Sequence, residues 1–92
     1  MVTNMDRHPE DLKSELRKRF GTLHAFERSY KLPPFSASAA LRRPYEAAES
    51  AIAEAVGLSA HLIWPSRYDA SGNRLSPQPA ENYAYARGRK AA

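Results

Sequence analysis

The sequence has no cysteine, so neither a disulfide framework nor a thiolate zinc site is available to it. It has no apolar run approaching the roughly 18 residues of a membrane helix. The opening stretch MVTNMDRHPEDLKSELRKRF is polar and lacks the hydrophobic centre of a secretory leader, so no signal peptide is expected. Four glycines are too few for a Gly-rich phosphate loop. His8, His24 and His61 are scattered, with neither HxH nor HExxH spacing, and no nucleophile motif surrounds any serine. Glu46, Glu49 and Glu54 read as solubilising groups on the outside of a helix. These absences argue against an enzyme. No catalytic residue, metal, cofactor, small-molecule ligand or membrane contact is expected, and the expected location is the cytoplasm.

What remains is one small domain. A chain of 92 residues has no room for two cores, and at this size folding buries only about 60% of the surface of the unfolded chain. Apolar residues make up 42% and nine residues are aromatic, enough to drive a globular core. The net charge of +4 is unevenly placed. Residues 17–43 hold seven basic groups (Arg17, Lys18, Arg19, Arg28, Lys31, Arg42, Arg43) against Glu27 alone, a net of +6. Residues 74–92 carry a net of +3, while residues 1–16 and 44–73 are acidic, at −2 and −3. A surface that faces a polyanion needs such an asymmetry.

Periodicity and punctuation predict five short helices and no strand. Residues 1–8 read as a loose arm. Pro9 suits a first helical position, where its missing N–H has no partner to lose. Glu10 and Asp11 favour the positive end of the helix dipole, and Arg17, Lys18 and Arg19 its negative end. Leu12, Leu16 and Phe20 form one stripe, and Gly21 ends this first helix. Thr22 caps a second helix carrying Leu23, Phe26 and Tyr30, which Leu32-Pro33-Pro34 breaks. Pro34 opens a third helix, to about Arg43, with Ala37, Ala40 and Leu41 inside. Pro44 opens a fourth, with Tyr45, Ala48, Ile52, Ala55 and Val56 inward, ended by Gly57. Ser59 caps a fifth, carrying Leu62, Ile63 and Trp64 and ended by Pro65. The predicted domain is residues 9–70. From Ser71 the composition shifts to Gly, Ser, Pro and Asn, and residues 71–92 read as a flexible basic tail.

The stretch from Leu23 to Arg42 has the spacing of a helix-turn-helix. Phe26, Tyr30 and Leu32 supply apolar contacts, and the small Ala37 and Ala40 let the third helix lie close to the second. The outward side of that helix is then free to enter a major groove. Phe35, Ser36, Ser38 and Ala39 are expected to face bases. Phe35 and Ala39 can touch only thymine methyl groups, whereas Ser36 and Ser38 can hydrogen-bond. Thr22, His24, Arg28, Lys31, Arg42 and Arg43 are candidate phosphate contacts, and Lys18 and Arg19 reach for the same backbone. The competing reading is a helical protein-interaction module with Phe35 as its apolar anchor. Trp64 reads as a core plug, Arg67 as a structural tie, and Tyr68 as a packed ring with its hydroxyl in water. Arg87-Gly88-Arg89-Lys90 reads as a solubilising tail, with insertion into a narrow minor groove as the alternative.

From Asp6 to Tyr68 the chain resembles the Ner family of small regulators, typified by the negative regulator of early transcription of phage Mu, and the related Nlp proteins of bacteria. The sharpest match is Ile63-Trp64-Pro65-Ser66-Arg67-Tyr68. Thr22-Leu23 with Ala25, Pro34 and Leu41, Arg43, and the Ile52–Ala55 stretch keep the family's spacing. The resemblance implies an all-α, λ-repressor-like fold and sequence-specific binding of double-stranded DNA by a transcriptional regulator, with Pro34 among the site residues. A homodimer on DNA is a further expectation, with half-sites one helical turn apart. Two positions depart from the family. Lys31 stands in the turn where Gly is usual, and a left-handed conformation costs a lysine about 1 kcal/mol, so a differently built turn is expected. Phe35, Ser36 and Ala39 stand where Thr and Asn are common.

Overall fold

The computed structural model describes residues 6–83. The first helix, α1, spans Pro9–Phe20. Its start is fixed by Pro9 in the first turn and by His8, whose Nδ1 accepts the Glu10 N–H at 3.0 Å. Gly21 ends it at φ 92, with its N–H on the Arg17 carbonyl. Leu12 and Leu16 are its buried stripe. Residues 6–8, expected as part of a loose arm, are tied down. The Arg7 N–H donates to the Ile63 carbonyl, and the Asp6 carboxylate accepts from the Ser66 N–H and hydroxyl at 3.0 and 2.6 Å.

Helix α2 spans Leu23–Ser29 and is capped by Thr22, whose Oγ1 accepts the Ala25 N–H at 3.0 Å. Phe20, Phe26 and Tyr30 form an aromatic cluster between α1 and α2, with ring centroids 5.0–6.1 Å apart. Two helical starts differ from expectation. Helix α3 spans Ser36–Arg42 rather than opening at Pro34. The Ser36 N–H and Oγ both donate to the Pro33 carbonyl, at 3.2 and 2.7 Å, closing a turn over Pro33–Ser36. Pro34 occupies the second position of that turn, which suits its fixed φ, and Phe35 the third, at φ 69 and ψ 4. Helix α4 spans Glu46–Val56 rather than opening at Pro44, because Tyr45 is still extended. Its end follows expectation: Gly57 is left-handed at φ 77 and closes on Ala53 and Glu54. Helix α5, Ala60–Ile63, runs into a 3-10 turn over Pro65–Arg67.

The core is thin and centred on α3. Ala37 and Ala40 are fully buried, and their small side chains bring α3 close to α1, α2 and α4. Leu12, Leu16, Phe26, Ile52, Ile63 and Trp64 fill the space around them. Among the described residues no strand forms, and the one pairing of strand type is an isolated bridge between Tyr68 and Arg74. The domain boundary expected near residue 70 does not coincide with a break in contacts. The Gln78 amide donates to the Arg67 and Leu75 carbonyls, and the Asn82 amide to the Ser66 carbonyl. A second 3-10 turn spans Ala80–Tyr83. The motif Arg87-Gly88-Arg89-Lys90 lies outside the described residues. No described helix is long and apolar enough to cross a membrane.

Candidate nucleic-acid interface

A helix-turn-helix needs its second helix held at a fixed angle by something other than its own length. In this chain the holder is Glu27. The residue is 2% exposed, and Oε2 accepts the Ala37 N–H at 3.0 Å, in the first turn of α3. Oε1 lies 3.1 Å from His24 Nδ1. A helix opening on Phe35 has no side-chain cap of its own, and a carboxylate from α2 supplies one. Sequence reasoning missed this role. The signal was the presence of a single acid among seven bases, next to the buried Phe26.

The connection from α2 to α3 turns at Lys31, which is left-handed at φ 57. The expectation of a differently built turn is therefore wrong. Lysine adopts the conformation glycine would have taken, because the Leu32 N–H is drawn to the Glu27 carbonyl at 2.8 Å and the chain must reverse there. The gain is a cation in the turn, exposed to solvent.

Phe35 stands at the head of α3 and is 68% exposed. The ring meets His24 edge-on, with centroids 5.2 Å apart and planes at 80°. Ser36, expected to face bases, is 2% exposed and its hydroxyl is spent on Pro33, which removes it from the outward face. Pro34 is exposed in the turn, while Ser38 and Ala39 are half-buried on the outer side of α3. Arg42 and Arg43 are exposed at its far end. Lys18 and Arg19 end α1 and Arg28 ends α2, all exposed. Of the six expected phosphate-contacting cations, only Arg19 forms an ion pair among the described residues, with Glu15 at 3.3 Å. Thr22 and His24 are exposed at the start of α2, although the Thr22 hydroxyl is engaged as a cap. The one acid of the basic segment is turned inward, so it does not offset the exposed cations of that segment; the exposed Glu10 of α1 borders a small hollow with Ser38 and Arg42.

The back of α3 is held from the other side. Pro44 has no N–H to offer the Ala40 carbonyl four residues earlier, and Arg67 Nη1 takes its place at 2.8 Å. The Arg67 guanidinium also reaches Glu49 Oε2 at 3.1 Å and stacks on Trp64, 4.7 Å from the ring centroid. Glu49, expected on the solvent face, is fully buried. It accepts from the Tyr45 N–H, Arg67, Arg74 and the Tyr68 hydroxyl at 2.7–3.3 Å. Tyr68 therefore does not keep its hydroxyl in water. Burial alone would raise the Glu49 pKa, but the bonds from Arg74, Tyr45 and Tyr68 and the charge of Arg67 outweigh it and hold the carboxyl below its usual range. Burial, then the bond to Glu49, pushes the Tyr68 phenol up to about 12. Burial lowers the Arg67 pKa against the pull of Glu49, and the Glu49 bond raises that of Arg74. Trp64 is the core plug the sequence implies, and Arg67 the structural tie.

A family model described as winged helix-turn-helix DNA-binding matches residues 6–79. The negative regulator of transcription of Escherichia phage D108 is 43% identical over 67 residues, covering 73% of this chain and 92% of that protein. The corresponding regulator of Escherichia phage Mu is 37% identical over 65 residues, 71% of this chain and 87% of that one. The sugar fermentation stimulation protein B of Escherichia coli K12 is 39% identical over 64 residues, 70% of each chain. No solved structure matches.

Proposed function

The chain belongs to the winged helix-turn-helix DNA-binding family and is a Ner-like DNA-binding regulator of transcription, and from that premise we propose that α3 enters the major groove of duplex DNA with cations seated on both rims. The observation that carries this is the face itself. One side of α3 stays partly open at Ser38 and Ala39; Lys31 is exposed in the turn before it, Arg42 and Arg43 at its far end, and Lys18 and Arg28 in the last turns of α1 and α2, while Glu27 is buried. Phosphates line both edges of a major groove, so cations at either end of an inserted rod meet them. In this reading Lys18, Arg19, Thr22, His24, Arg28, Lys31, Arg42 and Arg43 contact the DNA backbone. Phe35, Ser38 and Ala39 face the bases, and Pro34 sets the position of Phe35. Residues 9–70 supply the DNA-binding helices, and residues 6–8 and the segment through Asn82 pack onto them. The protein acts in the cytoplasm, with the nucleoid, without catalysis, as a homodimer whose half-sites lie about 34 Å apart, one turn of DNA.

Titration against duplex DNA at several salt concentrations tests the reading. The logarithm of affinity is expected to fall linearly with the logarithm of salt. Arg42→Ala with Arg43→Ala is expected to weaken binding to all duplexes alike and to flatten that slope by roughly 2. Absence of any salt-dependent affinity would reject the proposal. Loss confined to one sequence would mean that the two arginines read bases.

A further inference from the structure

The base-facing end of α3 has almost no hydrogen-bonding chemistry to offer. Ser36 is turned inward, Ala39 carries only a methyl group, and Ser38 is half-buried. What it does present is the Phe35 ring, the most exposed large apolar side chain among the described residues. An exposed phenyl ring gains nothing from water, and this one is not loose. Its backbone is fixed in a left-handed turn position and its ring rests edge-on against His24. His24 is itself tied to Glu27, whose other carboxylate oxygen holds α3. The ring, at the N-cap of α3, thus has one edge packed on a residue that also bonds the holder of that helix, and its other faces are open.

It also stands at the N-terminal end of the second helix, the part that meets base edges in a helix-turn-helix. The apolar group that a base edge shows in the major groove is the 5-methyl of thymine. 5-Methylcytosine shows the same group in the same place. Resting on the reading that α3 enters the major groove, we propose that Phe35 reads a 5-methylpyrimidine by contact of its ring with the 5-methyl group. Specificity at that position is then for the methyl, not for a donor or acceptor pattern.

The experiment uses the full chain and a duplex selected by it from random DNA. Each thymine is replaced in turn by uracil, which keeps pairing and removes only the methyl. Affinity is measured at fixed salt. One thymine in each half-site is expected to show a loss of about fourfold, the worth of one buried methyl group. Phe35→Ala is expected to lose affinity for the thymine duplex and to bind the uracil duplex equally well. Phe35→Leu, which keeps an apolar group, is expected to retain part of the preference. Phe35 is exposed, so the variants test contact rather than folding, and unchanged melting temperatures check this. Binding that no uracil weakens, or a uracil loss that persists in Phe35→Ala, overturns the inference and leaves the major-groove reading standing. Affinity lost in Phe35→Ala without any uracil effect, on a bent duplex, would place the ring as a wedge between base steps and overturn it too. Phe35→Ala with wild-type affinity everywhere would leave the ring to a protein partner. No binding to any duplex sinks the parent reading, and this one with it.

Discussion

Lys31 and Phe35 are the two residues other than glycine with positive φ among the described residues, and both lie in the connection between α2 and α3. Each conformation costs a side chain about 1 kcal/mol. Glycine would relieve the backbone at either position but would leave nothing to touch DNA. Lys31 therefore exchanges stability for charge. Lys31→Gly is expected to raise stability by up to about 1 kcal/mol in urea denaturation, part of the gain being offset by the freer unfolded chain. The same variant is expected to bind every duplex more weakly, with a salt slope lower by about 1. A variant that is less stable, or that keeps its slope, would show that Lys31 is held by contacts rather than strained by the turn. The positive φ of Phe35 is not legible in the sequence, and that of Lys31 is signalled only by the glycine usual at its place in the family, because the intrinsic preference of Lys and Phe opposes it. The turn is imposed by the Pro33–Ser36 closure and by Leu32 reaching back to Glu27.

At the scale of the element, α3 has seven residues, too few to be stable alone in water. Its neighbours hold it at both ends, through Glu27 on the Ala37 N–H and Arg67 on the Ala40 carbonyl. Glu27→Ala leaves a buried donor unsatisfied and is expected to cost about 2–3 kcal/mol of unfolding free energy. Glu27→Gln keeps an amide oxygen in place and is expected to cost clearly less. Equal losses by thermal or urea melting would mean that the cap is not what matters. The helices themselves were legible. Pro9, Gly21, Thr22 and Gly57 punctuate the chain where their chemistry predicts, and Leu12, Leu16, Phe26, Ala37, Ala40 and Ile52 are buried as their periods imply. The starts of α3 and α4 are not legible, because Pro34 sits in the turn that precedes α3 and Pro44 in the connection before the extended Tyr45, neither as a first helical residue. Glu49 was misplaced for a different reason. Its angle around α4, shared with Tyr45, Ile52 and Val56, points inward, and only its charge argued for water. Its partners Arg67 and Arg74 come from distant parts of the chain, which local patterns do not reveal.

Across the whole molecule, the Glu49 cluster joins α4, the 3-10 turn after α5, the Arg74 segment and the back of α3. It also gives the fold two pH limits. The Glu49 carboxyl is held below the ordinary carboxylate range, so the folded state favours the ionised form. That contribution is present above the ordinary carboxylate range and is lost as pH falls through the lowered pKa. Tyr68 moves from 10.0 to about 12, so the folded state favours the neutral phenol. Its contribution is complete below pH 10.0 and is lost as pH rises towards 12. Urea midpoints measured across pH are expected to decline at both ends, and Tyr68→Phe to remove the part of the alkaline decline that belongs to the phenol. An unchanged alkaline limb in that variant would assign it to other groups.

The clasp at Ser66 has a consequence for how the polypeptide is threaded. Asp6 holds the amide and hydroxyl of Ser66, and Asn82 holds its carbonyl, so the described chain returns to its own beginning and is nearly a ring. The sequence of helices along the gene is then only one of several equivalent readings of that ring. Splicing residue 83 to residue 6 through a short linker and cutting just after Leu58, which packs on the core, would leave the DNA-facing side where it is.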